Sequence, residues 1–554
     1  MARPMIVAIA TIVRVAAWQV TLVDERANQF VEDALSNQRL GVKFKDSPQW
    51  GRTGRRNNVA PVDRVPRTFD VATRENIKWS AKLGSQTYSS PVIANGKVFI
   101  GTNNAGGYIK RFPARVDLGV LLCFDAGTGD FLWQHSNEKL PVGRAQDWEM
   151  LGCCCSAYVE GDRLWYVNNR NEVVCLDTEG FRDGENDGPY RDEPNEKIDE
   201  ADVIWKLDMV GTFGATAHNA PFCSVTVAGD ALFVCTANGV NESHKEVAHP
   251  DAASFVALDK ATGRLLWKDH SPGANIMHGQ WSSPGYAVLE GVAQVIFAGG
   301  DGWLYSFDPL GEDGQSKLLW KFDCNPKTSK YKLERASRSP IIAPPVIYDG
   351  RVYVAVGEDP EHGEGAGHLW CISPDRRGDV SPTIVYNKAD PEVPIAYKRI
   401  QACEPDKGDF ERPNENSALI WHYGGDNPQK FEETFHRTLS GVAIKDDLLL
   451  AIDLSGLVHC LDAKTGAAHW THDMLASSWS SPLIAGDSVY IANQDGAILV
   501  FALSAEKSLV AELQLDIPIY STPVVARDVL YVAAFNTLFA IAEGGAAWQG
   551  RGND

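Results

Sequence analysis

The sequence predicts an all-β fold built from repeated four-stranded units, and two recurring sequence patterns support that prediction. In the first pattern an apolar strand ends in Asp, a Thr-Gly or related turn follows, and a second strand ends in Trp. Its clearest copies are LLCFDAGTGDFLW at 121–133, FVALDKATGRLLW at 255–267 and VHCLDAKTGAAHW at 458–470. Repeats with turn residues at fixed offsets are typical of an array of small sheets.

A second pattern precedes the first and completes the unit. A Ser-Ser-Pro or Ser-Thr-Pro triplet leads into a short strand, a Gly or Asp turn and an aliphatic strand, as it does after Ser89. The unit therefore has four strands, in the order Ser-Pro strand, aliphatic strand, Asp strand and Trp strand. Starts of this kind lie near residues 89, 155, 223, 282, 343, 440, 481 and 522. The sequence thus predicts an eight-bladed β-propeller.

The two ends of the repeat array indicate how the ring closes. A lone Trp strand at 77–79 precedes the first complete unit, and the last unit lacks a Trp strand. We therefore expect this N-terminal strand to pair into the last blade. Closure of this kind removes open sheet edges that would otherwise pair with other chains.

The repeats also suggest domain boundaries. We expect the propeller to span residues 50–545, a leader or arm to occupy 1–49, and 546–554 to be a disordered tail. Two insertions interrupt the period, near 181–202 and 375–416. Long insertions in repeat proteins usually project from one face, often the binding face.

Composition excludes some classes of function. The 554 residues carry a formal net charge of −20, which disfavours a surface that neutralises nucleic-acid phosphates. No apolar run is long enough to span a bilayer. The short apolar stretch that follows Arg3 is similar to a secretory signal, although a leader without any targeting role fits the same residues.

The spacing of Asp, Thr-Gly and Trp resembles the tryptophan-docking motif of the pyrroloquinoline-quinone (PQQ)-like propeller family. That family includes the quinoprotein alcohol dehydrogenases and the propeller lipoprotein of outer-membrane assembly. The resemblance covers about residues 50–542. With the signal-like start it implies a periplasmic or secreted protein, but one propeller can carry many different sites.

Aromatic residues recur at the start of the Ser-Pro strand. Tyr88, Trp281, Trp479 and Tyr520 each stand immediately before the triplet. If the register is right, they form part of a collar around one mouth of the central channel, where they would stack on a flat small molecule or hold a protein ligand. The alternative is that they fill space between neighbouring blades.

Two cysteines align with the same place in the second unit. Cys153 and Cys154 align with Tyr88 and Ser89 when Gly161 is matched to Gly96. In the quinoprotein dehydrogenases an adjacent Cys-Cys disulfide packs against the quinone, so the resemblance implies such a pair here. Filling by small residues is the alternative. Four other cysteines fall at a small-residue packing position between sheets: Cys123, Cys175, Cys371 and Cys460.

The resemblance also implies a calcium ion, which polarises the quinone carbonyl in these dehydrogenases. Asn238 and Glu172 match two of the family's calcium ligands. The acidic residues that the dehydrogenases carry around a later Trp are replaced, since the segment here reads MHGQWSSP at 277–284. His278 or His218 would then be the substitute general base, or would simply bond to loop carbonyls.

Two classes of function therefore remain open. One is a propeller that binds a small molecule or protein at its channel mouth and retains only a degenerate quinoprotein site. The other is a PQQ- and calcium-dependent oxidoreductase of alcohols or sugars. An acidic, histidine-containing segment at 358–364 provides a further candidate metal ligand set or a mobile loop.

Overall fold

The computed structural model describes residues 45–544 except 63, 142–145, 326–338, 362–364, 397, 399–402 and 426–433. The expected tail at 546–554 and most of the expected leader lie outside these residues. Helix is nearly absent from the described part, which has one α-helix, α1 at Met209–Phe213, and short 3₁₀ helices at Asn104–Gly106, Gly180–Arg182, Gly273–Asn275 and Pro405–Lys407. None of its helices has the length and apolarity to cross a bilayer. The all-β prediction is confirmed.

Thirty-two of the strands form small sheets of four antiparallel strands each, which we number in chain order. Sheet 1 contains β3 (Val92–Ala94), β4 (Lys97–Asn103), β5 (Leu118–Asp125) and β6 (Phe131–Glu138); sheet 2 contains β7 (Tyr158–Glu160), β8 (Arg163–Val167), β9 (Glu172–Asp177) and β10 (Val203–Asp208); sheet 3 contains β11 (Thr226–Ala228), β12 (Ala231–Cys235), β13 (Phe255–Asp259) and β14 (Leu265–Asp269); sheet 4 contains β15 (Gly285–Leu289), β16 (Val292–Ala298), β17 (Trp303–Phe307) and β18 (Leu318–Asp323).

The second half of the chain continues the pattern. Sheet 5 contains β19 (Val346–Tyr348), β20 (Arg351–Val356), β21 (His368–Ile372) and β26 (Leu419–Gly424); sheet 6 contains β27 (Ala443–Lys445), β28 (Leu448–Ile452), β29 (Leu457–Asp462) and β30 (Ala468–Asp473); sheet 7 contains β31 (Leu483–Ala485), β32 (Ser488–Ala492), β33 (Ala497–Ala502) and β34 (Leu509–Gln514); sheet 8 contains β35 (Val524–Ala526), β36 (Val529–Ala533), β37 (Thr537–Ile541) and the N-terminal strand β2 (Ile77–Lys82). Strand β2 pairs antiparallel with β37, so the two ends of the repeat array share one sheet.

The second insertion forms its own structure at the outer edge of sheet 4. Its first strand, β22 (Gly378–Asp379), pairs parallel with β18. Its remaining strands, β23 (Thr383–Asn387), β24 (Asp390–Pro394) and β25 (Asp409–Pro413), make a separate three-stranded sheet. The insertion therefore adds to the outermost strand of sheet 4.

The closing tryptophans hold each sheet to the next. Six indole N–H groups donate to carbonyls in the turn of the following sheet, at 2.9–3.1 Å: Trp79 to Ala126, Trp133 to Thr178, Trp205 to Lys260, Trp267 to Pro309, Trp421 to Ala463 and Trp470 to Ser504. The seventh, Trp320, donates to Gln294 Oε1, and the amide of Gln294 donates in turn to the carbonyl of Pro374. Each closing Trp thus has its ring buried and its indole N–H hydrogen-bonded.

The glycine of the Thr-Gly turn makes this contact possible. Gly263 has φ of +71°, a left-handed conformation that favours glycine, and a Cβ there would lie 2.6 Å from the Trp205 ring. The tryptophan therefore packs flat against the turn backbone. Apolar clusters fill the space between adjacent sheets, including the space between sheet 8 and sheet 1.

Hydrogen bonds also link the inner ends of the sheets. At six of the eight Ser-Pro starts, one backbone N–H donates to the side-chain oxygen of the equivalent residue in the next sheet, at 2.9–3.1 Å: Ser90 to Ser156, Ser156 to Ser224, Ser224 to Ser283, Gly441 to Ser481, Ser481 to Thr522, and Thr522 to Ser90. Pro344 occupies the equivalent place in sheet 5, where it has no N–H to donate. The last of these bonds joins sheet 8 to sheet 1.

Residues 45–60, which we call the closing segment, contact the innermost strand of every one of these sheets. In order from sheet 1 to sheet 8 the contacts are Ser47 with Ile93, Pro48 with Val159, Arg56 with Thr226, Gly54 with Tyr286, Arg55 with Ile347, Asn57 with Ile444, Asn58 with Ile484, and Arg52 with Val525. Its last two residues form β1 (Val59–Ala60), which pairs parallel with β31. The expected boundary at residue 50 falls inside this segment.

Candidate functional site

A cavity of about 380 Å³ opens where the inner ends of the sheets meet. Ser90, Ser224 and Thr522, which take part in the hydrogen bonds between the inner ends of the sheets, border this cavity. Trp50 of the closing segment borders it as well. None of its described lining residues comes from either insertion. The volume is that of a typical small-molecule site.

All four aromatic residues that the sequence places before the Ser-Pro triplets line this cavity. The ring centroids of Tyr88, Trp479 and Tyr520 lie 5.2–5.9 Å apart, so these three rings form one aromatic wall. Trp281 is 8% exposed and fixes its ring by donating from Nε1 to the carbonyl of His218 at 3.1 Å. Burial raises the pKa of Tyr88 well above its usual value, so its phenol stays neutral.

The two candidate cysteines have different surroundings. Cys154 lines the cavity, whereas Cys153 is buried with its Sγ 3.9 Å from the side-chain oxygen of Asn169. Both are free thiols in the structure, as are the other nine cysteines, so the disulfide that the resemblance implies is not formed. Burial raises the pKa of Cys153 to about 12, which keeps its thiol protonated and unreactive.

Glu172 and Asn238, the candidate calcium ligands, are engaged with other groups. Glu172 accepts a hydrogen bond from the Asn168 amide at 2.7 Å. The oxygen of Asn238 accepts from the backbone N–H of Thr216 at 3.0 Å, and its amide donates to the carbonyl of His249. Neither residue lines the cavity. Because neither side chain lines the cavity and each is held by hydrogen bonds elsewhere, these residues do not fit a calcium site beside a ligand in the cavity.

The two candidate bases lie together beside Trp281. His278 lines the cavity, and its Nδ1 lies 3.1 Å from Oδ2 of the buried Asp359. His218 lies behind it, with ring centroids 4.4 Å apart, and its Nδ1 lies 2.9 Å from the carbonyl of Val240. Burial, with the neighbouring imidazoles, lowers the pKa of His218 to about 3, so this ring is neutral.

The charged groups of the cavity come from the segment at 358–364. Asp359 and Glu361 line it, whereas no Lys or Arg does so among the described residues. PQQ carries three carboxylates, which would meet two further carboxylates here with no Lys or Arg among the described lining residues to pair with them. The described residues therefore do not fit PQQ.

Sequence reasoning finds the aromatic wall and both histidines but does not connect them to Asp359 and Glu361. The segment at 358–364 appears in the sequence only as an isolated acidic cluster. Asp359 and Glu361 follow β20 of sheet 5, whereas His278 lies in the loop before β15 of sheet 4. Their contact therefore depends on how these two successive sheets face each other. No local spacing signals that contact.

Comparison with known proteins identifies the repeat class. A family model described as outer membrane protein assembly factor BamB matches residues 412–551, about a quarter of the chain. No curated protein matches the chain. The resemblance to PQQ-like repeat proteins, first indicated by the spacing of Asp, Thr-Gly and Trp, is confirmed.

Solved structures with a similar arrangement include both branches of that family. BamB from Moraxella catarrhalis is 10% identical with a TM-score of 0.48, over 85% of this chain and 98% of that one. Quinohemoprotein alcohol dehydrogenase from Comamonas testosteroni is 14% identical with a TM-score of 0.47, over 96% of this chain and 85% of that one. A europium-containing methanol dehydrogenase is 9% identical with a TM-score of 0.45, over 90% of this chain and 92% of that one. Similarities this low carry no conclusion about activity, cofactor or partner.

Proposed function

We propose that this chain is a closed eight-bladed propeller of the PQQ-like repeat type that works as a binding protein. Its ligand is a planar small molecule that is neutral or positively charged, and its quinoprotein site is degenerate. The four-stranded sheets, the pairing of β2 with β37 and the bond from Thr522 to Ser90 support the closed ring. The signal-like start supports a periplasmic or secreted location.

One observation carries the ligand class: the cavity combines an aromatic wall with carboxylates and, among its described lining residues, has no Lys or Arg. Aromatic rings attract a flat ligand by stacking, and they attract a cation by its interaction with the ring face. Asp359 and Glu361 add attraction for positive charge and repel anions. A planar ligand without carboxylates therefore suits the cavity better than PQQ does.

The alternative is a PQQ- and calcium-dependent oxidoreductase, and one observation favours it. The Asp359 carboxylate orients His278 at the edge of the cavity, which is an arrangement suited to a general base. If a ligand hydroxyl were placed near Nε2 of this imidazole, the ring would accept its proton. Among the described residues, however, the lining of the cavity offers neither a cation for the quinone carboxylates nor the candidate calcium ligands, so we place this function second.

Ligand titrations distinguish the two functions. We expect proflavine, a planar cation, to quench the tryptophan fluorescence of the purified protein and to raise its melting temperature in a saturable way. PQQ with Ca²⁺ is expected to do neither and to support no dye reduction with alcohols. Tyr520→Ala should weaken proflavine binding by about fivefold, since loss of one stacking partner costs about 1 kcal/mol.

Tyr386→Ala is the matched control, because Tyr386 lies on the three-stranded sheet of the second insertion and does not line the cavity. Its proflavine affinity should equal that of the wild type. Saturable PQQ binding with alcohol-dependent dye reduction would favour the oxidoreductase instead. Absence of binding by proflavine and also by the neutral planar lumiflavin would overturn the binding proposal.

A further inference from the structure

Three imidazoles meet beside the cavity, and two of them, His218 and His244, have no role in the proposed binding of a planar ligand. The ligating atoms of His218, His244 and His278 all lie within 4.8 Å of one another. Their ring centroids are 4.4–5.1 Å apart. His218 and His278 are buried, and His244 is half-buried. Among the residues that the structure describes, no other group of three His, Cys, Asp or Glu side chains is close enough to hold a metal ion.

Hydrogen bonds set which ring nitrogen of each buried imidazole is available. A backbone carbonyl can only accept, so Nδ1 of His218 must donate its proton to Val240 and the lone pair lies on Nε2. That Nε2 is buried and has no hydrogen-bond partner, in a side chain only 1% exposed. A buried polar atom without a partner is destabilising, and a bound metal ion would satisfy this one.

His278 is prepared in the same way by a carboxylate. Its Nδ1 faces Asp359, which is itself held because its other oxygen accepts the backbone N–H of Glu361 at 3.0 Å. A histidine that gives one ring N–H to a carboxylate and the other nitrogen to a metal is a common arrangement in zinc sites. Nε2 of His278 is therefore the nitrogen that faces the cluster.

A fourth ligand group is at hand in Glu361. One of its carboxylate oxygens lies 3.6 Å from Nε2 of His278, and the other accepts from the Asn219 amide at 3.0 Å. In a tetrahedral zinc site with bonds of about 2.0–2.1 Å, neighbouring ligand atoms are about 3.3 Å apart. The carboxylate is thus nearly in place, and the imidazole nitrogens, which lie within 4.8 Å of one another, would need to approach to about 3.3 Å.

From this geometry we infer that His218, His244, His278 and Glu361 bind one Zn²⁺ ion, with Asp359 as the supporting carboxylate. Imidazole nitrogens favour zinc and related transition metals over calcium and magnesium, which prefer oxygen ligands. The ion would join loops from sheets 2, 3, 4 and 5 along one side of the cavity. The inference does not depend on the identity of the planar ligand.

Titration of the tag-free full chain with Co²⁺ tests the inference, because four-coordinate cobalt has a distinctive visible absorption. After treatment with a chelator, the protein should bind one equivalent of Co²⁺ with this spectrum, and one equivalent of Zn²⁺ should displace it. Zinc should also raise the melting temperature of the protein as its concentration exceeds the Kd.

Variants locate the site. We expect His244→Ala to weaken zinc binding by at least tenfold and Asp359→Asn to weaken it by about 10–100-fold. His422→Ala is the matched control, because it removes an exposed imidazole whose ring bonds to that of His368 at 2.8 Å in a cluster of only two. Metal-free His244→Ala should have the circular dichroism spectrum of the metal-free wild type, so that its loss of binding is not a loss of fold.

Two results would overturn the inference: no saturable cobalt or zinc binding by the wild type, or equal affinity in the wild type and His244→Ala. Tyr520→Ala keeps the two proposals apart, since it should lose proflavine binding and retain zinc. If it retained both, the planar-ligand site would fail while the zinc site stood.

Discussion

Arg56 offers the sharpest test of how the closing segment holds the sheets together. Its guanidinium is 1% exposed. It donates to the carbonyls of Trp50, Ser224, Val225 and Pro284 at 2.9–3.1 Å, and to the hydroxyl of Thr226. Burial lowers its pKa to about 10, so it remains a cation at neutral pH. One side chain therefore joins the closing segment to sheets 3 and 4.

The perturbation is Arg56→Met, which keeps most of the apolar stem and removes every donor. Each buried acceptor left without a partner costs about 1–3 kcal/mol. With four carbonyls affected, the lost hydrogen bonds would lower the free energy of unfolding by about 4–12 kcal/mol. Part of this loss is offset, because the variant no longer buries a charged group, which costs several kcal/mol. We expect a net loss of about 3 kcal/mol in the free energy of unfolding, similar to the cost of breaking other buried charged contacts. Arg56→Lys, which keeps the charge but has fewer donors, should lose about half as much.

Urea unfolding followed by tryptophan fluorescence and circular dichroism measures this difference. Arg67→Met is the control, because Arg67 is 46% exposed and pairs with Asp487, itself 81% exposed. Exposed pairs of this kind contribute about 1 kcal/mol or less. If Arg56→Met unfolded within 1 kcal/mol of Arg67→Met, the closing segment would not stabilise the sheets as its contacts indicate.

Two further predictions concern stability. Burial alone would raise the pKa of Asp453, but hydrogen bonds from His436 and His459 lower it to about 2. The ionised Asp453 should therefore contribute about 2 kcal/mol to the free energy of unfolding above pH 4. This contribution should be lost as the pH falls from about 4 to about 2. Asp453→Asn should lack this step when the free energy of unfolding is compared at the two pH values, and an unchanged step would assign it to other carboxylates. Gly263→Ala should lower the free energy of unfolding by about 1–3 kcal/mol, because its φ is positive and the new methyl group would meet the Trp205 ring; a stability equal to that of the wild type would show that the turn can shift.

The repeats made most of the fold predictable. Strand order and the position of each turn follow from residues that recur at fixed offsets, and the same register places Tyr88, Trp281, Trp479 and Tyr520 at one cavity. The pattern recurs because equivalent positions in each unit pack against equivalent neighbours, and so require the same kinds of residue. The small sheets and the all-β class could therefore be read directly.

The parts that do not repeat could not be predicted. The closing segment bonds mainly to backbone carbonyls and N–H groups, which have no sequence signature. The zinc ligands come from separate loops, and only the arrangement of successive sheets brings His244 and Glu361 towards His278. The family pattern suggested Glu172 and Asn238 instead, but Glu172 is bonded to Asn168, and Asn238 is bonded to Thr216 and His249.

The closing segment also determines when the molecule can be completed during synthesis. Residues 45–60 leave the ribosome early, yet Arg52 bonds to Val525, 473 positions later in the chain. Strand β2 likewise cannot pair until its partner strand β37 has been synthesised. A nascent chain consequently carries unpaired backbone groups at its N-terminal end until translation is nearly finished. Premature termination anywhere before sheet 8 prevents both contacts, so a truncated product would expose residues 45–60 and β2 to proteases.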